Sequence, residues 1–108
     1  MALTKVRKLI DIIPDDRKPI AENLIKELSF MERTMAELKR TVREVGAVEH
    51  FENGRQKFVR ENPALKSYNT TIQRYALIYK QFVDLLPAAA KPEAKDELSE
   101  FLKKKAKA

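Results

Sequence analysis

Two apolar stripes of matched pitch, set apart by an Asn-Gly pair, constrain this chain more than any other feature. The first is Leu24, Leu28, Met31, Met35, Leu38, Val42 and Val45, with spacings alternating between four and three. The second is Leu65, Tyr68, Ile72, Tyr75, Tyr79, Phe82 and Leu86, with the same alternation. A stripe of this period runs along one side of an α-helix and calls for a second helix to cover it. At a rise of about 1.5 Å per residue the two helices would be about 40 Å and about 35 Å long. The expected fold is mainly α: an antiparallel helical hairpin of two long helices, with short flanking helices at either end.

The punctuation between the stripes supports that layout. Gly46 follows the first stripe, where a left-handed helix cap is needed. Asn53-Gly54 lies between short runs containing Val and Phe, a strong signal for a tight β-turn. A small β-hairpin, or failing that an ordered loop, is expected over 47–60. Asn62 then caps the next helix, with Pro63 at its first position.

The ends follow the same logic. Leu3, Val6, Leu9, Ile10 and Ile13 form one face of a short helix that Pro14 stops. Asp15 and Asp16 are placed to cap the first long helix, with Pro19 in its first turn. Pro87 ends the second long helix, and Ala88 to Pro92 read as a linker. An amphipathic helix over 93–105 follows, with Ala94, Leu98, Phe101 and Leu102 on one face and its acids before its bases, which complements the helix dipole. The resulting divisions are a helix and turn over 1–18, a core over 19–86, and a linker with a helical tail over 87–108.

Apolar residues remain outside both seams: Ile20, Ile25 and Phe30 on the first long helix, Ile78 and Leu85 on the second. Terminal helices can cover some of them, and the rest suit contacts between copies of the chain, because large exposed apolar patches are rare on monomers.

Charge narrows the class of partner. The 108 residues carry 22 Lys and Arg against 16 Asp and Glu, a net charge of +6. The excess is +2 in each of 1–18, 63–86 and 87–108, and zero in 19–62. Such a balance favours polyanions, nucleic acid foremost, although solubility alone also calls for net charge. No apolar run approaches the roughly 18 residues that span a bilayer, so no membrane partner is expected. The basic start, Lys5, Arg7 and Lys8, leads into an apolar run broken by Asp11, which does not make a signal peptide.

Catalytic chemistry is not expected. There is no cysteine and one histidine, His50, so the residues offer no metal site. Both glycines are accounted for by turns, which leaves no phosphate-binding loop. Ser29, Ser67 and Ser99 have no paired base. Tyr68, Tyr75 and Tyr79 could stack on unpaired bases, but all three sit on a seam where an aromatic ring is ordinarily core. No enzyme activity, metal or cofactor is assigned.

The stretch from Leu28 to Pro87 resembles the small terminase subunits of tailed bacteriophages, in the branch common among phages of Gram-positive bacteria. Its most specific part is "NPALKSYNTTIQRY" within "ENPALKSYNTTIQRYALIYKQFVDLLP", preceded by "LSFMERTMAELKRTVREVGAVEHFENGRQKFVR". The resemblance implies a non-catalytic protein of the infected host's cytoplasm. Such a protein assembles into a homo-oligomeric ring, recognises viral double-stranded DNA, and recruits or stimulates a large subunit that holds the ATPase and nuclease. Many members carry a separate N-terminal helix-turn-helix domain. Here residues 1–18 offer at most a minimal one, with Pro14 to Arg17 as the turn.

Two sets of site residues follow. Lys5, Arg7, Lys8, Arg17 and Lys18 are assigned to DNA phosphates. Leu98, Phe101 and Leu102, beyond the Pro-bounded linker, are assigned to a groove on the large subunit. Two other readings stay open: a helical adaptor that does not bind DNA, and a non-specific basic DNA-coating protein.

Overall fold

The computed structural model describes residues 6–46, 48–53 and 56–107. The chain is mainly helical. A 3-10 segment, Arg7–Ile12, precedes helix α1, Lys18–Val45. Strands β1, Val48–Asn53, and β2, Gln56–Glu61, come next, then helix α2, Pro63–Asp84. A 3-10 turn, Ala88–Ala90, leads into helix α3, Lys91–Lys107. No helix among the described residues is long and apolar enough to cross a membrane.

The chain forms two compact units. One comprises Met1–Phe30 with Tyr75–Ala108, the other Met31–Arg74.

The first unit holds most of the buried apolar side chains. Val6 and Ile13 come from the N-terminus, and Ala21, Ile25 and Leu28 from α1. Tyr75, Tyr79, Phe82 and Val83 come from α2, and Leu86, Ala90, Ala94 and Leu98 follow them. Each helix contributes one stripe at spacings of three and four, as a helix with a single covered face must. Tyr75 is the hub of an aromatic group. Its ring stacks on Phe101 of α3 at 4.8 Å and lies 6.1 Å from Tyr79, which meets Phe82 edge-on at 6.5 Å. Full burial of side chains this large contributes about 1.5–3 kcal/mol each, and a well-placed aromatic pair about 0.5–1.5 kcal/mol more.

The second unit relies on helix ends. Gly46 adopts φ +100° and its amide donates to the Val42 carbonyl at 2.7 Å, closing α1 with a left-handed cap. Asn62, buried, works twice. Its Oδ1 accepts from the Ala64 amide at 3.0 Å and caps α2, while its Nδ2 donates to the Gly46 carbonyl at 2.9 Å. One side chain thereby ties the end of α1 to the start of α2. Lys39, seven residues back from Gly46, lies over the ring of Tyr68, six residues on from Asn62, at 5.2 Å. These two contacts bring the end of α1 and the start of α2 together. Between them β1 and β2 pair antiparallel, from Val48 with Glu61 to Asn53 with Gln56. The expected turn glycine, Gly54, lies outside the described residues.

Several expectations need correction. The N-terminal element is a 3-10 segment rather than an α-helix, although Val6 and Ile13 are buried as its apolar face required and Ile12 is exposed. Leu3 lies outside the described residues. Asp15 does not cap α1. Its carboxylate pairs with Lys18 Nζ at 3.1 Å, and the Pro14 carbonyl accepts from the amides of Arg17 and Lys18 instead. Val45 closes the first stripe but is 54% exposed. Glu32, a charged residue next to the stripe position Met31, is buried. Ala88–Ala90 is an ordered 3-10 turn with Ala90 buried, and α3 begins at Lys91, so Pro92 stands in the first helical turn, where a missing amide proton costs nothing.

Candidate nucleic-acid interface

The basic residues assigned to DNA fall on the first unit, in and just after the 3-10 segment. Arg7 is exposed, and its Nη2 donates to Ser29 Oγ of α1 at 2.8 Å. That bond uses one of five guanidinium donors and fixes the group against α1 with the rest of its fork in solvent. Lys8 and Arg17 are exposed, and among the described residues neither makes an ion pair. Lys18 is half-buried and held by Asp15. Lys5 lies outside the described residues.

The acids of the same stretch temper this patch. Asp11, Asp15 and Asp16 are all exposed. Four cations (Arg7, Lys8, Arg17, Lys18) against these three leave a local charge of +1 over 7–18. Among the described members of the assigned set, Arg7, Lys8 and Arg17 are thus the ones whose charge is open to a phosphate, and Lys18 would first have to leave its carboxylate. The turn Pro14 to Arg17 is present, but the element before it is a six-residue 3-10 segment, so two α-helices do not flank it.

The three tyrosines divide. Tyr75 and Tyr79 are fully buried and present no face to a base. Tyr68 is half-buried, with its hydroxyl enclosed and without a hydrogen-bond partner, and burial pushes its pKa above the ordinary tyrosine value.

The C-terminal assignment meets a different environment from the one expected. Leu98 is buried, Phe101 is half-buried against Tyr75, and Leu102 is half-buried. The apolar face of α3 is covered by the chain itself, because the ordered 3-10 turn brings α3 back along α2 rather than leaving it on a tether. Leu98 and Phe101 are consequently not open to a partner's groove in this conformation. Sequence reasoning also missed the tie from Asn62 to Gly46. The cap was legible, but its second bond joins two residues sixteen apart.

No protein family, curated protein or solved structure was found to match this chain.

Proposed function

We propose that this chain is the small subunit of a tailed-phage terminase, which binds viral double-stranded DNA and brings the large ATPase/nuclease subunit to it in the cytoplasm of the infected bacterium. The observation that carries the reading is the string from Asn62 to Tyr75, "NPALKSYNTTIQRY", set between a long amphipathic helix and a leucine-rich helix end with a proline stop. The net charge of +6 and the exposed Arg7, Lys8 and Arg17 are consistent with a phosphate-binding role. In the finer architecture proposed with it, α1 and α2 form a helical hairpin closed by the strand pair and flanked by the terminal helices. Ile20 and Phe30, 54% and 59% exposed, supply contacts in a homo-oligomeric ring. Repetition around a ring would let individually weak phosphate contacts act together.

A second reading, a helical adaptor that does not bind DNA, draws support from the +1 local charge and the Asp15–Lys18 pair. DNA titration at several salt concentrations separates the two. Terminase function predicts affinity that falls steeply with salt, a preference for a fragment spanning the phage packaging start, and a shallower salt slope for Arg7→Ala/Lys8→Ala/Arg17→Ala. No binding at low salt, or a triple variant indistinguishable from wild type, would overturn the assignment.

A further inference from the structure

Arg7 differs from Lys8 and Arg17 in being held in place on the first unit. Val6 beside it is fully buried and anchors the backbone, and its guanidinium donates to Ser29 Oγ of α1 at 2.8 Å. Ser29 accepts that bond through a lone pair and keeps its own proton to donate. Among the described residues that proton has no acceptor. Lys26 stands three residues before Ser29 on α1, a spacing that makes the two side chains neighbours, with Cβ atoms about 5–6 Å apart. It is exposed, and among the described residues it makes no ion pair. Three kinds of unused donor thus gather around Ser29: the rest of a guanidinium fork, a hydroxyl and an ammonium. The acids nearby do not cancel them. Glu22 is seven residues before Ser29, about 10 Å along the helix axis, which exceeds the screening length of about 8 Å at physiological salt. Glu27, two residues before Ser29, faces another side of the helix. Asp11 makes no ion pair with Arg7, and Glu32, one turn after Ser29, is buried and has a partner of its own.

We propose that Arg7, Ser29 and Lys26 form a binding point for one phosphodiester group of a DNA backbone. Arg7 donates from the free part of its fork, Ser29 donates from Oγ, and Lys26 supplies the second charge. A phosphodiester presents acceptor oxygens on more than one side, which suits donors arriving from two segments of the chain, and arginine, lysine and serine are all ordinary phosphate ligands. Ser29 has two roles here. It donates to the phosphate, and it positions Arg7 before the phosphate arrives. Lys8 and Arg17 must be ordered on binding, whereas Arg7 is ordered already, so more of its interaction appears as affinity. The proposal rests on the DNA-binding reading and extends it, because Ser29 and Lys26 carry the contact from the N-terminal segment onto α1.

The test is an anisotropy titration of the full chain with a fluorescent DNA duplex at several salt concentrations. Ser29→Ala removes no charge, and it should weaken binding roughly fivefold with the salt slope unchanged. Ser29→Thr keeps the hydroxyl and should bind as the wild type does. In an Arg7→Ala chain the same Ser29→Ala change should cost distinctly less, because the positioning role has gone. Lys26→Gln should weaken binding and lower the salt slope by about one, the loss of one phosphate contact. Lys80→Gln, an equal charge change at an exposed position of α2, should leave the slope within error. Melting curves of Ser29→Ala and Lys26→Gln should match the wild type, which separates loss of the site from loss of fold. If Ser29→Ala melts lower, the comparison of Lys26→Gln with Lys80→Gln still decides. Wild-type affinity in Ser29→Ala, an equal Ser29→Ala loss with and without Arg7, or equal slopes for the two glutamine variants would overturn the site and leave the DNA reading standing. No duplex binding by the wild-type chain at low salt would overturn both.

Discussion

The two units are held together by different physics. In the first, five fully buried large side chains (Val6, Leu28, Tyr75, Tyr79 and Phe82) come from three parts of the chain, and α3 adds Phe101 over Tyr75. In the second, Met35 is the one large apolar side chain among the described residues that is fully buried, while Leu38, Val42, Leu65, Tyr68 and Ile72 are half-exposed. There the order comes from a glycine cap, an asparagine that bridges two helix ends, and a lysine over a tyrosine ring. Heptad seams of the same pattern thus end in unlike environments. A seam covered on several sides becomes a core, and a seam covered on one side needs polar ties at its end.

Substitutions can break this contrast from either side. The largest effect is expected in the first unit. Phe82→Ala should cost about 3–5 kcal/mol, read as a lower denaturant midpoint. The comparable truncation in the second unit, Leu38→Ala, should cost well under half as much because Leu38 is already partly in water. Equal losses would erase the distinction. Next, Asn62→Ala should cost about 2 kcal/mol, the sum of a lost cap and an unpaired Gly46 carbonyl. Asn62→Asp should recover the cap but not the bridge, and thermal melts of the two variants would separate the contributions. Gly46→Ala forces a Cβ into a left-handed backbone and should cost about 1 kcal/mol in the same assay, although its space is open enough that strain, not a clash, sets the loss.

The smallest effect sharpens the comparison at Tyr68. Its enclosed hydroxyl has no partner, so Tyr68→Phe should change stability at neutral pH by no more than about 1 kcal/mol, in the stabilising direction. The sign with pH follows from its raised pKa. Above the ordinary tyrosine value of 10.0 the unfolded chain loses this proton first, so wild-type stability should fall as pH rises from there, and Tyr68→Phe should remove that part of the fall. Alkaline melts of the two proteins provide the check.

Local signals were legible and distant ones were not. Gly46 and Asn62–Pro63 announced two helix ends because caps depend on a few adjacent residues. The stripes of α1 and α2 announced which sides would be covered, since periodicity is a property of each helix alone. Val45 failed because burial at the end of a stripe depends on whether anything lies opposite it. Ala88–Ala90 looked like a linker because alanine carries no polar or turn signal, and the burial of Ala90 comes from tertiary packing. The same blindness hid the stack of Phe101 on Tyr75, residues 26 apart in the chain. Of the candidate site, the exposed Arg7, Lys8 and Arg17 could be named from composition, but the ties of Lys18 to Asp15 and Arg7 to Ser29 required coordinates.

This packing also decides how the C-terminus should be probed. Deleting α3 would strip the cover from Tyr75 and confound loss of a partner site with loss of fold, so point substitutions on exposed positions are the cleaner tools. The central claim, that α3 belongs to the better-buried unit and is not a tethered tail, is tested most directly by amide hydrogen exchange on the unmodified protein. Amides from Ala94 to Phe101 should exchange as slowly as those from Tyr75 to Val83, and both more slowly than those from Met35 to Val42. Rapid exchange across Ala94–Phe101 with protection kept in Tyr75–Val83 would contradict it.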